Sequence, residues 1–168
     1  YSREIKATND NNVIKTISFE SGKFDSSHFS LAVADEVGEL TRDDGISKIT
    51  SGQIGTPDAR FVEISTSYQV PDVPFHKEQK KLIEAMERDF DRASDDQLCL
   101  VWTQDSLEET FQPDTWAKSN PLLNLPDKRD KLLRGLISER DKKMLMGKLA
   151  DFQVKNMNCW LNADSNSF

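Results

Sequence analysis

Two cysteines, two histidines and no apolar run near the ~18 residues of a membrane-spanning helix put several classes of protein out of reach of this 168-residue chain. Cys99 lies inside Leu98-Cys99-Leu100-Val101-Trp102 and Cys159 precedes Trp160. Thiols in such apolar settings read as buried structural residues rather than a disulfide or a metal pair. His28 and His76 sit in different segments without ligand spacing, so both read as ordinary side chains. There is no basic-then-apolar leader, hence no secretory signal is expected, and the sparse thiols fit a cytoplasmic setting. The chain opens Tyr1-Ser2-Arg3 rather than with Met, which suggests an excised or processed piece. Internal repeats and low-complexity tracts are missing. Net positive charge is missing too: the formal charge is −7 and the pI about 4.9, against a free-standing nucleic-acid binder. The one basic stretch is local, with 9 Lys/Arg against 5 Asp/Glu in residues 126–155.

A phosphate loop is also missing. Gly22-Lys23 invites one, but Ile17 stands where the first glycine of GxxxxGK[ST] belongs, and Phe24 replaces the Ser/Thr after the lysine.

What is present centres on Phe29–Glu36, Phe-Ser-Leu-Ala-Val-Ala-Asp-Glu. Leu31 to Ala34 run without alternation and stop at two carboxylates. That pattern predicts a strand covered on both faces, as in a parallel sheet, with its acids at the carboxyl end where open α/β sheets place ligands. This is the shape of a Walker B element, whose first acid serves Mg²⁺ and whose second can orient an attacking water. Strand alternation would send Glu36 to the side opposite Asp35. The bland alternative is a core strand with a solvated acidic end.

Along the chain, Asn9 to Asn12 signal a turn and Val13–Phe19 a β-branched strand, followed by a turn over residues 20–24. Leu40, Ile46 and Ile49 predict a helix capped at Asp43 or Asp44. Arg60–Thr66 predicts a second core strand ending in hydroxyls. Leu82, Met86 and Phe90, widened by Ile83, predict a helix over 75–93. Gln97–Thr103 predicts a third strand, and Asp114–Ala117 a short helix ended by Asn120-Pro121. A helix starts at Asp127, with Leu132, Leu133, Leu136 and Ile137. Another is expected from Lys142, placing Leu145, Leu149, Phe152 and Trp160 on one apolar face. The tail from Asn162 is polar. The order is half of an α/β sheet followed by a helical appendix.

Four features in order carry a family resemblance: Ala34-Asp35-Glu36, Ile64-Ser65-Thr66-Ser67, Thr115-Trp116-Ala117-Lys118-Ser119-Asn120-Pro121-Leu122-Leu123, and Phe152 to Trp160 with Asn158-Cys159-Trp160. Together, from about Val13 to Trp160, they resemble the large terminase subunit of tailed bacteriophages and prophages, where a Trp-x-x-x-Asn-Pro segment and a later Phe…Asn-x-Trp segment follow the ATPase core. That family joins an N-terminal P-loop ATPase to an RNase-H-like nuclease and packages DNA into procapsids. The resemblance implies a partial P-loop NTPase-like (RecA/ASCE-type), mainly parallel α/β sheet in residues 1–104, with Walker B and coupling motif. Residues 105–168 would form a helical linker subdomain before a nuclease that this chain lacks. It implies Asp35 as the Mg²⁺-serving acid, Glu36 as the catalytic carboxylate, and Ser65 and Thr66 as the motif sensing the nucleotide's γ-phosphate. Mg²⁺ and ATP would be cofactors of the intact protein. Its partners would be double-stranded DNA, the terminase small subunit and the portal protein, in the bacterial host cytoplasm. Without a phosphate loop, the isolated chain is expected to bind neither cofactor and to turn over ATP at background rate. Trp116 and Trp160 read as core anchors, and the basic run from Lys128 to Lys148 as a solvated helix surface. An exposed half-sheet edge would favour self-association. Two other readings stay open: a non-catalytic scaffold module, and a fragment of another P-loop ATPase such as a helicase.

Overall fold

The computed structural model describes residues 4–9, 12–18, 28–88 and 96–161. The expected turn at 20–24, the end of the first strand at Phe19, residues 89–93 of the long helix and the tail from Asn162 lie outside them. The chain divides into two compact units. One comprises residues 1–34 and 42–63, the other residues 35–41 and 64–168.

In the first unit, β1 (Glu4–Lys6) and β2 (Val13–Lys15) form an antiparallel hairpin, with Ile5 opposite Ile14. Its residues are exposed. β3 (Leu31–Asp35) and β4 (Arg60–Ile64), whose last residues Asp35 and Ile64 already belong to the second unit, form a separate parallel pair. Helix α1 (Asp44–Gln53) connects them, entered through Asp43 as expected, although the Asp43 side chain makes no capping bond. Gln53, the buried last residue of α1, donates from Nε2 to Phe29 O at 3.1 Å and Arg60 O at 2.9 Å. One amide thus satisfies a carbonyl at the start of each strand and fixes the crossover. Ile49 and Ala34 are buried, but Leu31 and Val33 are each 56% exposed. The expectation of a strand covered on both faces is therefore corrected. Alternate residues of β3 have two different environments: Leu31 and Val33 are exposed, while Ala32 is half-buried and Ala34 buried.

The second unit begins with a 3₁₀ turn, Val37–Glu39, which packs on helix α2 (Pro74–Arg88). Leu82, Ile83 and Met86 of α2 are half-buried, matching the predicted stripe. Three 3₁₀ turns follow, Leu107–Phe111, Pro113–Lys118 and Pro121–Asn124. Two of them open on proline, whose fixed φ suits a first helical position. Helix α3 (Pro126–Leu145) and helix α4 (Leu149–Lys155) complete the unit. The core joins Trp116, Leu123, Phe152, Met157 and Cys159, flanked by Leu132, Leu133, Leu136 and Ile137 of α3. Trp116 is fully buried, its ring 5.6 Å from that of Phe152, and its Nε1 donates to Glu109 O at 2.8 Å.

Three further expectations are corrected. Gln97–Thr103 carries no regular secondary structure and pairs with no strand among the described residues. Leu98 (71% exposed) and Leu100 (64%) alternate with half-buried Cys99 and Val101. The alternation is there; a strand to pair with is not found among the described residues. Lys142–Leu145 belongs to α3 rather than opening a new helix, since the break falls at Gly147, whose φ of +66° stops the helix. Leu145 is accordingly 89% exposed and on no core face. Cys99 is half-buried rather than buried, while Cys159 is buried; both are free thiols. No helix among the described residues is long and apolar enough to cross a membrane.

Candidate functional site

Parallel pairing brings the two predicted tips to the same end of the β3–β4 pair. β3 stops at Asp35 and β4 at Ile64, one residue before Ser65. Glu36 does not continue the strand. Its φ of 57° and ψ of 34° are left-handed, uncommon for a residue with a side chain and found where surroundings over-determine it. Here Glu36 N–H donates to Asp35 Oδ1 at 3.0 Å and Glu39 N–H donates to Glu36 O at 3.1 Å. Strand alternation therefore does not set the direction of the Glu36 side chain, contrary to expectation; the tight turn does.

Ser65 Oγ accepts from Gly38 N–H at 2.9 Å and donates to Thr66 O at 2.9 Å. The hydroxyl thus fastens the loop after β4 to the turn that follows the acids. Tyr68 donates its phenol to Glu36 Oε2 at 2.6 Å. That bond, then desolvation, then the charges of Glu36 and Glu39 push the Tyr68 pKa up to about 12. The four predicted residues and Tyr68 thus share one small region. Glu36, Gly38, Glu39, Thr66 and Tyr68, together with Asp151 and Lys155, are among the residues lining a cleft of about 690 Å³.

Sequence reasoning missed Tyr68, Gly38 and Asn158 as members of this arrangement. Asn158 has φ +54°. Its Oδ1 accepts from Ser67 N–H at 2.7 Å, its Nδ2 donates to Trp102 O at 2.9 Å, and its own carbonyl accepts from Thr103 Oγ1 at 2.8 Å. The Asn-Cys-Trp motif in the sequence marks the place, but not the partner 91 residues away. Trp160 is half-buried rather than part of the α4 face. It stacks on His76 (4.3 Å, 11°) and donates to Gln79 Oε1 at 3.1 Å. His76 is a structural residue, donating from Nδ1–H to Pro71 O at 2.9 Å, with burial lowering its pKa.

The basic run on α3 is partly internal. Arg140 lies 5.6 Å from the Trp116 ring centroid, Arg129 donates to Leu123 O at 3.2 Å, and Lys143 pairs with Asp151 at 3.2 Å. Lys128, Lys131, Arg134, Lys142 and Lys148 are exposed. Among the described residues no group of three His, Cys, Asp or Glu could enclose a metal ion.

The geometry is that of a mixed helix-and-strand protein with an acidic strand-end turn fastened to a hydroxyl-bearing neighbour. No family model and no curated protein matches the chain. Among solved structures, the crystal structure of the HK97 bacteriophage large terminase matches with a TM-score of 0.65 and 17% identity. The match covers 94% of this chain and 33% of that one, so the chain spans about a third of the terminase's length. At this identity the likeness is one of fold, and it agrees with the family resemblance drawn from the motifs.

Proposed function

We propose that this chain is a segment of a phage-type large terminase, an ATP-driven motor that packages double-stranded DNA into procapsids with a small subunit and a portal protein. In this reading residues 1–104 belong to the P-loop ATPase core and 105–168 to a helical linker. The observation that carries it is the shared end of the β3–β4 pair, with Asp35 and Glu36 on one tip and Ser65 and Thr66 on the other.

The donor set suits Mg²⁺. Asp35 Oδ1 is occupied by the Glu36 N–H, and Oδ2 has no partner among the described residues. One hard oxygen at a strand end fits an ion that keeps most of its waters. When bound, Mg²⁺ would supply charge neutralisation at the phosphates. Glu36, one residue on, would accept a proton from the attacking water, help typically worth ~10²–10⁴ in rate. Ser65, bonded to Gly38 N–H, would transmit a change at the nucleotide to the Thr66–Gln69 segment.

The full-length protein tests this by DNA-stimulated ATP turnover. Glu36→Gln is expected to abolish turnover while nucleotide binding persists. Turnover at the parent rate in that variant removes Glu36 as the water-activating acid, and no turnover in the parent rules the motor reading out and leaves the non-catalytic scaffold reading. The 168-residue chain alone is expected to hydrolyse ATP at background rate.

A further inference from the structure

We propose that Tyr68 is the positioning residue for Glu36, and that Ser67 and Gln69 tie its hold on the carboxylate to helix α4 and Asn158. The inference rests on reading Glu36 as the water-activating group. Three consecutive residues act together. Ser67 donates through its N–H to Asn158 Oδ1 at 2.7 Å and through Oγ to Val154 O at 3.0 Å. Gln69 Nε2 donates to Asp151 Oδ1 at 2.8 Å. Tyr68, between them, turns the other way and donates to Glu36 Oε2. Its ring lies 6.3 Å from that of Trp160, tilted by 44°. The phenol is thus held at both flanks and along its ring, so its direction follows α4 and the Asn158 loop.

A phenol suits this task. It is a neutral donor, so it orients the carboxylate without cancelling the negative charge that a base needs, as Lys or Arg would. It takes Oε2 only; Oε1 has no partner among the described residues and stays available to accept from water. A base locked by a neighbour's hydrogen bond loses rate rather than affinity when that bond goes.

The tie is read first in the 168-residue chain. Tyr1 and Tyr68 are its two tyrosines, so with Tyr1→Phe the ¹³Cζ resonance of labelled tyrosine reports Tyr68 alone at neutral pH. Glu36→Ala and Asn158→Ala are each expected to shift it toward free tyrosine. An unmoved resonance in either variant overturns the proposal. If Asn158→Ala loses its thermal melt, Gln69→Ala, at an exposed position, takes its place under the same criterion. In the full-length protein, Tyr68→Phe is expected to lower kcat for ATP at least tenfold with KM within twofold. If Tyr68→Phe fails to fold, Ser67→Ala is read by the same split. Parent kcat in the variant, with Glu36→Gln inactive, overturns the positioning role alone. Parent turnover in Glu36→Gln overturns the catalytic reading and this proposal with it.

Discussion

Gly38 lies so close to Ser65 that a Cβ on the glycine would stand 2.7 Å from Ser65 Oγ. It would also stand 3.0 Å from Thr66 O and 3.0 Å from Tyr68 Cδ2. Ser65 Oγ cannot swing away freely, because it accepts from Gly38 N–H and donates to Thr66 O. Gly38→Ala must therefore move backbone at both strand tips.

Overpacking of this kind costs ~1–3 kcal/mol. Gly38→Ala is expected to lower the denaturant midpoint accordingly. Adding Ser65→Gly removes the nearest obstacle but not the Thr66 carbonyl, so the double variant should recover only part of the loss. A double-mutant cycle in denaturant measures this. Strict additivity would mean that the two residues do not touch.

Trp116 gives a second prediction. It is fully buried, packs on Phe152, lies under Arg140 and donates to the Glu109 carbonyl. Trp116→Ala removes all of these and is expected to cost ~3–5 kcal/mol. Trp116→Phe keeps an aromatic but leaves the Glu109 carbonyl without its partner, a loss of ~1–3 kcal/mol. The ordering parent, Phe, Ala in equilibrium unfolding checks the assignment of the core.

Much of this core was legible because its apolar residues recur with helical or strand period. Leu132, Leu133, Leu136 and Ile137 announced the α3 stripe, and Leu31–Ala34 announced β3. Trp116 reads as a core anchor rather than a base stacker, and it is fully buried. What the period cannot show is who lies opposite. Gln97–Thr103 has the alternation of a strand, yet pairing needs a neighbour, and none is described. The exposed face of β3 was misjudged for the same reason. The Ser67–Asn158 and Tyr68–Glu36 bonds depend on loops brought together by the fold. No local pattern in Ser-Thr-Ser-Tyr or Asn-Cys-Trp encodes such a partner.

Tyr68 also sets a behaviour in alkali. Its phenol stays protonated in the folded chain up to about 12, against an ordinary value of 10.0. Between those values the folded state holds a proton that the unfolded state has lost, so stability falls as pH rises. The contribution is complete below the ordinary value and gone above the raised one. Tyr68→Phe should flatten the thermal-midpoint curve across this window relative to the parent. Identical slopes for the two proteins would show that the phenol is not bonded to Glu36 in solution.

At the acid end the group to watch is Glu109. Lys118 Nζ donates to its Oε1 and, at 2.5 Å, to Asp105 Oδ2, while the Asp105 N–H donates to Glu109 Oε2 at 2.8 Å. The bond from Lys118 is the main cause that holds the Glu109 carboxyl below its ordinary value of 4.5. A depressed carboxylate contributes stability that is present above its unfolded pKa and lost as pH falls through the folded one. The same cluster raises the Lys118 pKa, first through Asp105 and then through Glu109, so its contribution fails only in strong alkali. Lys118→Met should therefore let Glu109 titrate nearer the ordinary range and move acid unfolding to higher pH. The bond from Trp116 Nε1 to the Glu109 carbonyl puts an indole beside the titrating residue, so tryptophan fluorescence against pH follows the transition. An unchanged acid midpoint in Lys118→Met would mean that the ion cluster does not form in solution, and that the 107–118 turns are held by the Trp116 core alone.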